Sequence, residues 1–522
     1  MTRAHRRVIV AGLLVIFTAI TTGITGPALG QSQAPRVLRI ATDTNLPWLD
    51  PHVGPQFALR EIATHVFETV VTVGADHGVI PQLASAWTVS PEGLHYTFTL
   101  RSGVRFHNGK ILNAEDVKAS LERYLQVGVR RADLGGIQTV TVVDPLTVRV
   151  SLKEPQGSFL GVLAVPLGMI AIMPKEIAER SREPLTPPNL IGTGPFQLVE
   201  WQRDRQITLR RFPDYSRDAR PASGLGGERR AMVDEIHIIS ILESGTRLAA
   251  LERGDVDYAI ALPPTSYERL VNSSTLRPVV IKPFVQVVVQ MNASRPPFNN
   301  VKARQAVSRG LDMEAIMRAV TVNQPAFYRL QPSIFFPEQQ VWHNMEGRTV
   351  YNSKNLDLAK RLLQESGYDG RTITFVTIRD IEYMYRAALA VKPQLEAIGF
   401  KVDLAIRDVP GQIALQRDWN FDMATNGMTT RTDPTAYNYL LQCGASWETY
   451  GYCDNDMDKW LVVGLRIRDP ERRAHAYAQA QRAFYDTVPF VKIGDFHSMD
   501  GANQALKGYQ VFFQRRFWNV SK

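Results

Sequence analysis

Cysteine is nearly absent. The chain has two in 522 residues, Cys443 and Cys453, both inside "CGASWETYGYC". A disulfide-dense scaffold and a multi-cysteine zinc module are therefore excluded. Long apolar runs are also scarce. "VIVAGLLVIFTAI" (8–20) and "GVLAVPLGMIAIM" (161–173) hold thirteen residues each, too few to span a bilayer comfortably, and the second contains Pro166. No block of consecutive basic residues interleaves with aromatics, so no nucleic-acid groove is expected. G-x-S-x-G, H-E-x-x-H and G-x-x-x-x-G-K-[ST] do not occur. "GTGPF" (192–196) and "GLGG" (224–227) lack the spacing of a phosphate-cradling turn and read as tight turns. A secreted hydrolase becomes a minor reading and is not excluded, because many hydrolases carry no short motif.

The chain is too long for one ordinary core, so two or three lobes are expected. Hydrophobic content of 44% and charged content of 21% are those of a globular protein. Arg3, His5, Arg6 and Arg7 precede the first apolar run, and "ALG" (28–30) follows with small residues at both positions a signal peptidase reads. This is the pattern of a secretory signal peptide cleaved after Gly30, with an N-terminal membrane anchor as the alternative. Removing Arg3, Arg6 and Arg7 lowers the formal charge from +9 to +6, a mild bias towards anionic ligands. In an oxidising compartment Cys443 and Cys453 read as a local disulfide, closing a loop worth roughly 2–3 kcal/mol. The rival reading, a metal site, needs more ligands, and the ten histidines are scattered without H-x-x-x-H spacing.

"RVLRIAT" (36–42) reads as a first strand, and residues 80–155 are β-rich. Tyr96, Phe98 and Leu100 alternate with polar neighbours in "HYTFTL", while "TVTVV" (139–143) and "TVRVSL" (147–152) flank a turn as a hairpin. Asn113 sits where a helix cap belongs, ahead of an apolar face of Val117, Leu121, Tyr124 and Leu125. The stretch 350–408 differs in kind. A helix over 356–367 stops at Gly367, and "TITFVTI" (372–378) suits a buried strand. Residues 380–398 are helical in spacing, with Pro393 expected to bend or divide the helix, and "FKVDLAIR" alternates as a strand. Strand, helix, strand is a parallel βαβ unit. A second begins with "FDMATNGM" (421–428), and Asp469 with Pro470 opens a late helix.

In open α/β sheets ligands settle beyond the carboxyl ends of strands. Two loops occupy such ends: "IRDIEYMYR" after the 372–378 strand and "TTRTDP", Thr429 to Pro434, after the 421–428 strand. Arg379 and Arg431 therefore stand where a ligand would be met, each offering a planar fork of donors to a carboxylate. A solvated turn is the ordinary alternative for both. Tyr383 and Trp447 near these loops, and Asn45 and Trp48 after the first strand, are candidates for ligand contact or for plain filling. Asp433 is a candidate contact whose ordinary role is capping the next helix. No metal site and no cofactor are called for.

The stretch "PQLASAWTVSPEGLHYTFTLRSGVRFHNGKILNAEDVKASLERYL" resembles the signature of the extracellular solute-binding protein family 5, the dipeptide-, oligopeptide- and nickel-type binding proteins of ABC importers. Matches follow in order at "DPLTVRVSLKEP", "IGTGPFQLVEW", "MNASRPPFNNVKARQAVSRGLD", "LDLAKRLLQESG", "GYCDNDMDKW" and "PERRAHAYAQAQ". The resemblance implies an α/β fold of the periplasmic binding protein type II, two hinged lobes with mixed sheets and an extra β-rich subdomain in lobe I. On that plan 1–30 is the signal peptide, 36–75 and 192–284 are lobe I, 76–191 the extra subdomain, 285–490 lobe II, and 491–522 the return to lobe I. It also implies a monomeric periplasmic receptor that hands a small molecule or short peptide to ABC permease subunits. Opine, glutathione-like, oligosaccharide and metal-chelate ligands stand as alternatives. In the dipeptide-binding relatives an arginine just after the corresponding strand pairs with the peptide carboxylate, and Arg379 falls on or beside that position. Those relatives hold the α-amino group with an aspartate where Thr430 falls here, followed by Arg431. This departure disfavours a free amino terminus and favours anionic or neutral ligands.

Overall fold

A computed structural model describes residues 35–522 apart from 55, 165–167, 181, 430, 432, 447 and 448. The expected signal peptide lies outside the described residues. So do Thr430 and Trp447.

One mixed sheet of eleven strands runs through the molecule. Its path is Lys401–Arg407, Thr372–Ile378, Met423–Thr429, Leu276–Met291, Phe490–Asn503, Tyr258–Ala259, Val37–Thr42, Glu235–Ser240, Gln206–Arg211 and Phe196–Gln202, with Tyr328–Arg329 added beside Phe490–Asn503. The two long antiparallel strands at the centre, Leu276–Met291 and Phe490–Asn503, belong to both ends of the sheet. Their register breaks between Ile281 and Val285. Before the break Val279 and Ile281 pack with Leu38, Ile40 and Ile236; after it Val287, Val289 and Met291 pack with Phe298, Phe375 and Leu395. Through these residues the strand passes from one hydrophobic core to another, and the break falls where they change.

The local readings account for most of the elements. Thr372–Ile378, the helix Glu382–Ile398 and Lys401–Arg407 form a parallel βαβ unit, and Met423–Thr429 joins Thr372–Ile378 in parallel on the other side. Pro393 does not divide the helix Glu382–Ile398. It lies on the exposed side of the helix. Asn113 caps Ala114–Val127 through a reciprocal box with Asp116, and Asp469 caps Pro470–Thr487. The β-rich stretch forms a four-stranded antiparallel sheet, Ala84–Val89, His95–Leu100, Thr147–Leu152 and Ile137–Asp144. Its inward residues Tyr96, Phe98 and Val150 share one continuous core with Leu38 and Phe196. "GTGPF" is glycine-rich for a packing reason: a Cβ on Gly192 or Gly194 would lie 2.1 Å from the Val66 carbonyl oxygen or 2.4 Å from that of His65. Cys443 and Cys453 form a disulfide.

Among the described residues, no helix is long and apolar enough to cross a membrane.

Candidate functional site

Four aromatic rings follow one another across the junction of the two cores. Phe57 opens the helix Phe57–Val66 and meets Phe284 edge-on at 5.7 Å between centroids. Phe284, at the register break, meets Phe496 of the partner strand at 6.4 Å. Phe496 stacks on Tyr383 of the helix Glu382–Ile398 at 5.1 Å and 23°. All four are half-buried. Tyr383 reaches this place over Gly427, where a Cβ would come within 2.1 Å of the tyrosine hydroxyl oxygen. The row therefore depends on a glycine in the strand beneath it.

Guanidinium groups stand along this row. Arg60, one turn after Phe57, lies over the Phe57 ring at 4.6 Å, and Arg515 lies over the same ring at 5.8 Å. Arg515 is fully engaged. It donates to both oxygens of Asp500 at 2.5 and 2.8 Å and to Glu61 at 3.1 Å. Burial opposes its charge, but Asp500 and Glu61 outweigh burial and raise its pKa. Arg60 is only 5% exposed, and among the described residues its Nε has no hydrogen-bond partner. Its pKa is lowered to about 9, first by burial and next by the positive charge of Arg431.

Arg431 follows the strand Met423–Thr429 and is 9% exposed. Its Nη2 donates to the Tyr439 hydroxyl at 3.1 Å and its guanidinium lies over that ring at 5.7 Å. Its carbonyl accepts from Gln339 Nε2, which ties down the loop. Nε and Nη1 are buried and, among the described residues, unpartnered. Leaving two charged donors unsatisfied is costly, which sets this side chain apart from a paired cation. Arg473, for example, meets Asp433 with two bonds of 2.8 and 3.0 Å.

Tyr439 also lines a cavity of about 360 Å³ between the β-rich region and the 433–466 segment. Tyr124, Arg130, Gln156, Asn438 and Arg466 contribute to its wall. Arg130 is paired with Asp133 at 2.6 Å and Arg466 with Glu154 at 3.5 Å. Among the described residues Asn438 Oδ1 is buried without a partner, an acceptor waiting for a donor.

The other candidates named from sequence lie in different settings. Arg379 is exposed at the tip of its strand, its guanidinium over the Tyr385 ring at 5.8 Å. Asp433 caps Thr435 at 3.0 Å while it holds Arg473, so its carboxylate is engaged within the protein. Thr429 ends its strand opposite Val285. Asn45 accepts from the Ser240 hydroxyl and borders a small groove with Trp201, Gln206 and Ala58 of the helix Phe57–Val66. Trp48 is 36% exposed. Sequence reasoning missed Phe57, Arg60, Phe284 and Phe496. Phe57 and Arg60 stand three apart on a helix, a spacing that any amphipathic helix shows, so no local signal separates them.

Residues 78–449 match the model of the bacterial extracellular solute-binding proteins, family 5, middle region. The chain belongs to this family. It is 26% identical over 491 residues to the glutathione-binding protein GsiB of Salmonella typhi, covering 90% of this chain and 91% of the relative. It is 27% identical over 547 residues to the probable peptide ABC transporter periplasmic-binding protein y4tO of Sinorhizobium fredii, over 100% of each. The fold is that of the type II periplasmic binding proteins. The solved binding protein AgaA from A. tumefacien R10, in complex with agropinic acid, superposes with a TM-score of 0.78 at 23% identity, covering 93% of this chain and 98% of that one. As a member of this family the chain is a solute-binding receptor, and the family is not one of enzymes.

Proposed function

We propose that this chain is the periplasmic receptor of an ABC importer and captures a peptide-like solute bearing a carboxylate between its two halves. The observation that carries this reading is the half-buried row Phe57–Phe284–Phe496–Tyr383, crossing from one core to the other, together with Arg431, whose Nε and Nη1 are buried without a partner among the described residues. Apolar ring surface with a few convergent polar groups is the usual make-up of a small-molecule site. The 360 Å³ cavity next to Tyr439 gives room for the body of the ligand. Arg379, exposed at its strand tip, is available as a second carboxylate contact.

The two halves correspond to lobe I (36–75, 192–284 and 491–522, with the subdomain 76–191) and lobe II (285–490). The strand break at Ile281–Val285 supplies the hinge about which they close. The mature chain starts after Gly30, acts as a monomer, and presents its ligand-loaded form to permease subunits. A peptide or glutathione-like ligand matches the relatives' cargo. An opine is a second reading, favoured by the cation at Arg431 and by the agropinic acid complex of AgaA.

Mass spectrometry of protein purified without denaturation tests the assignment. So does a thermal-shift panel of dipeptides, oligopeptides, glutathione, opines and nickel chelates. A cognate solute at a hundred times its Kd stabilises the folded state by about 2.7 kcal/mol. Turnover of the stabilising compound would replace a receptor with a hydrolase. A flat response to every compound would remove the peptide-like class.

A further inference from the structure

The bond between Cys443 and Cys453 is open to solvent at one end. Cys453 is exposed and Cys443 half-buried, and the nearby Gly444, Ala445 and Gly451 are exposed as well. Buried disulfides resist exchange with thiols, whereas exposed ones are the labile ones.

The two ends of the bond are held unequally. On the Cys453 side the chain is anchored without it. Tyr450 and Tyr452 are 2% and 3% exposed, Tyr450 meets Phe421 edge-on at 4.8 Å, and the Tyr452 hydroxyl lies 2.7 Å from that of Thr487. Asp454 then caps the helix Asn455–Arg466 through the Met457 amide. On the Cys443 side the ties are polar. The Cys443 amide donates to the two oxygens of Asp458 at 3.0 and 3.2 Å, and Ser446 Oγ donates to the Tyr439 carbonyl at 2.8 Å. Breaking the bond therefore loosens 442–446 and leaves 450–453 in place.

The loosened side carries part of the wall of the 360 Å³ cavity. Gln442 and Ala445 line it on either side of Cys443, and Asn438 and Tyr439 line it one turn earlier. The disulfide is the covalent tie between this wall and the anchored segment.

We propose that the Cys443–Cys453 bond is a thiol-exchange site through which a dithiol reductant loosens the cavity wall. A thiolate of the reductant attacks the exposed Cys453 sulfur, the S–S bond breaks, and Cys443 leaves as a thiolate that takes up a proton. The second thiol of the reductant then attacks the mixed disulfide. It closes the reductant's own disulfide and releases Cys453, which is protonated in turn. Two electrons pass from the dithiol to the protein. With the bond intact the wall is fixed; with it reduced, Tyr439, Gln442 and Ala445 lose their defined positions. A consequence for solute binding rests on the reading of this cavity as the place of the ligand body. The exchange and the loosening do not.

The test treats the mature protein, without denaturant, with dithiothreitol and traps free thiols with iodoacetamide for peptide mass spectrometry. Amide hydrogen exchange is followed over 438–446, 450–453 and 372–407. Both cysteines should be alkylated, and exchange over 438–446 should rise by roughly tenfold while the other two segments stay as they were. Cys443→Ser with Cys453→Ser should show the raised exchange without reagent and no response to it. With the monothiol 2-mercaptoethanol, the trapped adduct should sit on Cys453. Alkylation only at urea concentrations that also expose 372–407 overturns the exchange site. Unchanged exchange over 438–446 in fully alkylated protein overturns the tie to the cavity wall, and an adduct on Cys443 overturns the order of attack. Should the double serine variant fail to fold, the reduced wild type still decides. A solute panel without a hit would remove the ligand reading and leave each of these results standing.

Discussion

Arg60 and Arg515 share the ring of Phe57, one at 4.6 Å and the other at 5.8 Å, yet their surroundings differ in kind. Arg515 sits in a closed network with Asp500 and Glu61, and Asp500 in turn accepts from the Tyr258 hydroxyl at 2.7 Å and from the Ala261 amide at 2.9 Å. Each of those three charges has a partner from its own half. Arg60 has no ion-pair partner among the described residues, and its Nε is buried without a hydrogen-bond partner among them. The difference separates two uses of a buried charge. A satisfied network fixes its surroundings in a single arrangement; an unsatisfied cation stays open to what binds.

The largest effects should come from opening the closed network. Asp500→Asn or Arg515→Met leaves a buried charge uncompensated and should cost about 3–5 kcal/mol, measured by urea unfolding. Acid should act on the same half. Burial holds His52, His65 and His107 near a pKa of about 4, against 6.5 when exposed. Two of them are locked neutral by geometry: His65 Nε2 accepts from the Phe517 amide at 2.9 Å and His107 Nδ1 from that of Gly192 at 3.3 Å. Because the folded-state values are depressed, this stability is complete above pH 6.5 and is lost as pH falls towards 4, each histidine contributing up to about 3 kcal/mol. Hydrogen exchange at pH 7.5 and 5 should show residues 52–66 and 104–112 losing protection before 372–407. Equal losses in both halves would blur the contrast.

In the second half the disulfide is the local constraint. Cys443→Ser with Cys453→Ser should cost about 2–3 kcal/mol by loop-closure entropy, read as a lower melting temperature that matches the wild type under reductant. Gly427→Ala pushes on the Tyr383 hydroxyl and should cost about 1–3 kcal/mol while weakening solute binding in calorimetry. The smallest effect belongs to Arg60 and Arg431. Arg60→Gln or Arg431→Gln removes a buried charge without an ion-pair partner among the described residues, so unfolding of the ligand-free protein should shift by less than about 1 kcal/mol, towards higher stability. A loss of several kcal/mol would mean that these groups are held by the fold no less firmly than Arg515.

Much of the fold was legible because its signals are local. The hairpin at 137–152, the βαβ unit at 372–407, the caps Asn113 and Asp469 and the pairing of Cys443 with Cys453 each rest on residues near one another in the chain. Placing Arg431 at a strand tip was legible for the same reason. Its isolation was not, since that depends on Arg60, Gln339 and Tyr439 at once. Asp433 shows both sides: its capping of Thr435 is local, but its ion pair with Arg473 joins residues forty apart. The aromatic row draws Phe57, Phe284, Phe496 and Tyr383 from four distant segments, and alternation along any one of them reads as ordinary core. Pro393 was expected to bend or divide its helix, and it lies within an undivided one, on the exposed side.

The proposed closure of residues 285–490 over the rest of the chain can be followed as a distance. Spin labels placed on the exposed positions Glu122 and Arg417, one in each half, report it through their distance distribution. Adding the solute that stabilises the protein should shorten and narrow that distribution, and Arg431→Gln should return it to the ligand-free form. A distribution unchanged by a solute shown to bind would contradict closure at the junction.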